Sequence, residues 1–67
     1  MRVPPSRLRG PAATAWRALL DCRVVRVRFD HPGFLALYDA ELVDVSPVSG
    51  DEDALDYRLT MRARAAA

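Results

Sequence analysis

From Ala54 to Ala65 apolar and polar residues alternate almost without a break. Leu55, Tyr57, Leu59, Met61 and Ala63 fall on one side, and Asp56, Arg58, Thr60, Arg62 and Arg64 on the other. Side chains on a strand switch faces at each residue, so the pattern predicts a half-buried antiparallel strand with a mostly cationic outer face. Two earlier stretches also read as strands. In Cys22 to Phe29, Val25, Val27 and Phe29 share one face, while Val24, Arg26 and Arg28 share the other. A longer strand is predicted from Phe34 to Val45. Asp30-His31-Pro32-Gly33 between them has the chemistry of a type II turn, with proline presetting one φ and glycine supplying the next.

Ahead of the strands, Pro11 suits the first turn of a helix, where its missing N–H would be unpaired anyway. Trp16, Leu19 and Leu20 then form an apolar stripe at i, i+3 and i+4. About three turns of helix persist only when such a stripe is packed. Residues 1–10, with Arg2, Arg7, Arg9 and two prolines, read as a basic, extended arm. Ser46 to Asp53 reads as a polar loop, and Ala65 to Ala67 as a frayed end. The predicted fold is α+β: one short N-terminal helix packed on a three-stranded antiparallel β-meander, a single small domain over 11–67 with the Phe34 strand in the middle.

That middle strand is predicted to be apolar on both faces. Leu35, Leu37, Val43 and Val45 lie opposite Phe34, Ala36, Tyr38 and Leu42. One helix can cover only one face of so small a sheet. The set Leu35, Leu37, Val43 and Val45 is therefore a candidate association surface. Length points the same way. A chain of 67 residues buries only about 60% of the surface its unfolded form exposes, so oligomerisation or docking on a partner is a natural source of further stability.

Charge adds little by its sum and more by its kind. The formal net charge is +1, yet all ten cations are arginine; lysine, isoleucine, asparagine and glutamine are absent. Codon usage in a GC-rich bacterium accounts for such a composition, and phosphate recognition is the functional counterpart. Arg26, Arg28, Arg58, Arg62 and Arg64 are the candidate surface for an anionic partner, either an acidic protein segment or nucleic-acid phosphates. RNA-binding sheets interleave aromatics with their cations. Tyr57 lies on the opposite face, so nucleic acid is the less favoured partner.

No constellation points to catalysis. Cys22 and His31 stand at opposite ends of a predicted strand rising about 3.3 Å per residue, too far apart for a nucleophile–base pair. Asp51-Glu52-Asp53 lacks the alternating spacing of a calcium loop, and a lone His31 offers no zinc cluster. Trp16 and Tyr38 read as core residues. No catalytic residue, cofactor or metal is expected. One unpaired cysteine, no apolar run of about 20 residues and no signal-like start favour a cytoplasmic protein without membrane contact.

Trp16-Arg17, the run Leu35-Ala36-Leu37-Tyr38-Asp39-Ala40-Glu41-Leu42, Tyr57-Arg58 and Arg62-Ala63-Arg64 resemble the C-terminal part of the O-type accessory proteins of gas vesicle clusters. In that family these residues belong to a Tyr-x-x-Glu-Leu strand and a final arginine-rich strand. The resemblance implies an accessory role in assembly, with protein partners and no cofactor. The chain departs from it in placing Arg23, Arg26 and Arg28 where the family's strand is acidic. The expected function is a non-enzymatic protein-association module, a homo-oligomer or an accessory subunit. The alternatives are a nucleic-acid-binding module using the basic arm and arginine strand, and an oligomeric small-molecule carrier or enzyme with an inter-subunit site.

Overall fold

A computed structural model describes residues 7–66 of the chain. Six elements follow in order: α1 (Pro11–Asp21), β1 (Val25–Arg28), α2 (Pro32–Asp39), β2 (Val43–Val48), β3 (Asp51–Leu59) and α3 (Met61–Ala65). The α+β class, the N-terminal helix and the three antiparallel strands match expectation. The distribution of elements along the chain does not.

α1 starts where Pro11 takes the first helical position after Gly10, whose φ of 58° lies in the left-handed region open to glycine. Its buried face is Ala12, Ala15, Trp16 and Leu19, while Leu20 is exposed. Of the expected arm, residues 1–6 lie outside the described residues, and Leu8 packs against the core.

The segment expected as the middle strand is instead the helix α2, and the Asp30–Gly33 turn is its N-terminus. His31 is the N-cap: its Nδ1 accepts a hydrogen bond from the Gly33 N–H at 3.2 Å, and Pro32 occupies the first helical position. Phe34 and Leu37, three apart, face inward. The helix closes with a Schellman motif. The Leu42 N–H reaches the Leu37 carbonyl at 3.1 Å and the Glu41 N–H reaches that of Tyr38 at 3.0 Å, with Glu41 at a φ of 60°.

β3 is the central strand, giving the order β1-β3-β2. Both neighbours run antiparallel to β3 and hence parallel to each other. Parallel strands require a crossover rather than a hairpin, and α2 supplies it. The sheet is thus a split βαβ unit and not a sequential meander. Residues 46–53, expected as a loop, form the turn end of the β2–β3 hairpin, closed by Ser49 and Gly50 with Gly50 at a φ of 85°. β1 is shorter than expected, four residues long.

The last strand is also shorter than its alternation suggests. The Thr60 hydroxyl accepts a hydrogen bond from the Ala63 N–H at 3.0 Å and caps α3, so Met61 to Ala65 turn into a helix. Met61, placed on the apolar side by the pattern, is 91% exposed, while Ala63 is buried.

The core lies between the helices and one face of the sheet. Tyr57, Leu19 and Leu37 are its most completely buried large side chains, each contributing about 1.5–3 kcal/mol by burial. Val25, Tyr57 and Val45 stand side by side across the three strands. The opposite face carries Arg26, Asp56 and Ser46 in one row and Arg58 beside Asp44 in the next. α1 and α2 approach closely at Gly33, where an added Cβ would overlap the Pro11 carbonyl and lie 3.3 Å from the Ala15 Cβ.

Candidate anion-binding cleft

Register places the site. β1 begins pairing at Val25 opposite Tyr57, so Arg58 and Leu59 run on past the start of β1 with only β2 alongside them. Arg23 and Val24, which lead into β1, flank this open stretch. Thr60 then reverses the chain into α3 and brings Arg64 back toward it. The result is a cleft of about 420 Å³ lined by Arg23, Val24, Arg58, Leu59 and Arg64.

Three of the five lining residues are arginines and none is acidic. Arg23, Arg58 and Arg64 form no salt bridge with any described carboxylate. Arg26 and Arg28 differ. Arg26 Nε donates to Asp56 Oδ1 at 2.9 Å, and Arg28 Nε lies 3.1 Å from Asp30 Oδ1. The hydrogen bond from Arg26 holds the Asp56 carboxyl below its ordinary range despite partial desolvation, and the charges of Arg26 and Arg58 add to the effect. The same hydrogen bond and charge raise the Arg26 guanidinium above its usual value.

The candidate anionic-partner set is therefore split. Arg58 and Arg64 meet in the cleft, Arg26 and Arg28 lie on the outer sheet face with carboxylate partners, and Arg62 sits on α3 outside the lining. Arg62 and Arg64 do not continue a strand face with Arg58, because Thr60 ends the strand first. Arg23 was absent from the expected set. Alternation placed it merely at the start of a strand, and only the β1–β3 register and the return of α3 bring it beside Arg58 and Arg64.

The candidate association surface does not survive as a surface. Leu37 and Val43 are core residues, 0% and 5% exposed, and Val45 is half-buried; Leu35 alone is exposed. The helical period of α2 separates Leu35 from Leu37, which a strand would have put on one face. The two-sided ribbon that the alternation predicts, and with it the exposed apolar face, is absent because Pro32–Asp39 is helical.

The cleft holds no serine, cysteine, histidine or carboxylate, so its own side chains include no nucleophile or general base for ordinary acid–base chemistry. Cys22 is exposed at the end of α1, and His31 is occupied as the cap of α2, its ring centroid 4.9 Å from that of Phe34 in an edge-to-face arrangement. Asp51 Oδ1 accepts a hydrogen bond from the Asp53 N–H at 3.0 Å at the start of β3. Among the described residues no group of three or more histidines, cysteines and carboxylates is placed to hold a metal ion. Among the same residues no helix is long and apolar enough to cross a membrane. Searches against protein-family models, curated proteins and solved structures return no match.

Proposed function

We propose that this chain is a non-enzymatic binding module that engages an acidic protein partner through the arginine cleft, as an accessory subunit of a larger assembly. The observation that carries this reading is the gathering of Arg23, Arg58 and Arg64 around one cleft with no carboxylate lining it. Guanidinium forks bind carboxylates and phosphates through paired, charge-assisted hydrogen bonds, and they remain charged at every physiological pH. Leu35 and Tyr38, exposed one turn apart on α2, offer a partner apolar contact as well. The residues that resemble O-type gas vesicle accessory proteins are compatible with such a role, although here Leu35 to Leu42 form the end of α2 and the following turn.

Nucleic acid is a weaker fit. The outer sheet face interleaves Asp44 and Asp56 with its arginines and presents no aromatic ring for base stacking. The test is titration of the full chain with a glutamate-rich peptide and with single-stranded oligonucleotide at low and high salt. The expected result is saturable, salt-sensitive binding of the peptide that is lost in an Arg23→Gln/Arg58→Gln/Arg64→Gln variant. Oligonucleotide binding tighter than peptide binding, or peptide binding unchanged in that variant, overturns the reading.

A further inference from the structure

Charge balance at the cleft specifies the ligand more closely than acidity in general. Building on the reading that the arginine cleft is a binding site, we propose that it takes a phosphate monoester, a dianionic phosphoryl group carried on a compact apolar or aromatic body. A carboxylate is satisfied by a single guanidinium fork. Bound here it would leave two of the three arginines unmatched. A phosphate monoester brings about −1.5 to −2 charges and three strong acceptor oxygens, so it can engage Arg23, Arg58 and Arg64 together.

The other two lining residues set the rest of the ligand. Val24 and Leu59 bound the cleft with no polar side chain. A carbon skeleton against them loses nothing, whereas a second phosphate would be held against hydrocarbon. A volume of about 420 Å³ lies toward the small end of the roughly 300–1,000 Å³ typical of small-ligand sites. That is room for one phosphorylated group and too little for a nucleic-acid helix.

The three arginines reach the cleft from independent parts of the fold: the lead-in to β1, the far end of β3, and α3. Each guanidinium can therefore approach a tetrahedral oxyanion from its own direction. Their mutual repulsion is relieved when a dianion enters the cleft.

The test is a titration of the full chain with phenyl phosphate, followed through the backbone amide resonances of Val24 and Leu59. Benzoate, which has the same ring and a single negative charge, serves as the comparison. Saturable shifts are expected at both amides, with benzoate at least about tenfold weaker. Arg23→Gln and Arg64→Gln should each weaken phenyl phosphate by about tenfold or more, the scale of one lost charge-assisted hydrogen bond. Arg28→Gln, outside the cleft, should leave it unchanged. The same spectra report whether each variant remains folded, and two cleft variants guard against the loss of either.

Benzoate binding as tight as phenyl phosphate, or affinity indifferent to both cleft substitutions, overturns the proposal. A glutamate-rich peptide that binds through the cleft arginines while phenyl phosphate does not overturns the phosphate assignment and leaves the acidic-partner reading standing. Failure of both ligands ends both. A phosphotyrosyl peptide distinguishes the sources: tighter binding than phenyl phosphate identifies a modified side chain on a partner, and equal binding identifies a free ester.

Discussion

The ring of Phe34 lies 5.0 Å from that of Tyr57, inclined at 48°, and joins α2 to the central strand. Both residues are almost fully buried, so this pair fixes the crossover helix to the sheet. Truncating Phe34 to alanine is expected to cost about 3–5 kcal/mol, a large part of the stability of so small a domain. Phe34→Leu should cost much less. Urea unfolding of the two variants followed by circular dichroism measures the difference.

Burial of Tyr57, with a smaller contribution from nearby Tyr38, raises its hydroxyl pKa above the ordinary value of 10.0. The neutral phenol is thus favoured by folding. That contribution is complete below pH 10.0 and is lost as pH rises through the higher folded value. In a Tyr38→Phe background the tyrosinate absorbance of the folded chain should therefore appear later than that of the urea-unfolded chain. Coincident titration curves would contradict the burial of Tyr57.

Asp56 has the opposite sign. Its carboxyl is held below 3.8, so its contribution is present above that value and lost as pH falls through the lower folded one. Arg26→Ala should move the Asp56 titration, followed by carboxyl-carbon resonance, back upward. Thermal stability at neutral pH should barely change, because Arg26 is exposed and water screens the pair.

Gly33 is held by neighbours and not by its backbone angles. Gly33→Ala drives a methyl group into the Pro11 carbonyl, and overpacking of this kind costs about 1–3 kcal/mol. The melting temperature should fall although alanine favours helix. An unchanged or raised value would mean that α1 and α2 separate without penalty.

Thr60 links stability to the cleft. Thr60→Ala removes the cap of α3, at about 0.5–2 kcal/mol, and frees the five-residue helix that positions Arg64. Binding of anions at the cleft should weaken in Thr60→Ala and be retained in Thr60→Ser, which keeps the hydroxyl. Parallel titrations of the two variants with phenyl phosphate test this.

α1 was legible in Pro11 and in the spacing of Trp16 and Leu19, although Leu20, the third residue of the expected stripe, is exposed. The inner face of β3 was equally legible in Leu55, Tyr57 and Leu59. α2 was not. Phe34 to Leu42 is so rich in apolar residues that it satisfies a two-residue period and a helical one alike, and the deciding signal was His31-Pro32 acting as a cap and first turn. Thr60 was similarly hidden, since Met61 and Ala63 continue the alternation of the strand before them. Arg58 and Arg64 were singled out from the pattern, but their meeting with Arg23 depends on where β1 stops pairing, which no local pattern encodes.

Neither outer margin of the sheet invites another strand. β1 is four residues long and carries Arg26 and Arg28; β2 contains Pro47, which lacks an N–H, followed by a register shift. Backbone templating is thereby discouraged on both sides, so concentrated solutions of the folded chain should resist fibrillation. A molecule that does dock must recognise this protein by its side chains.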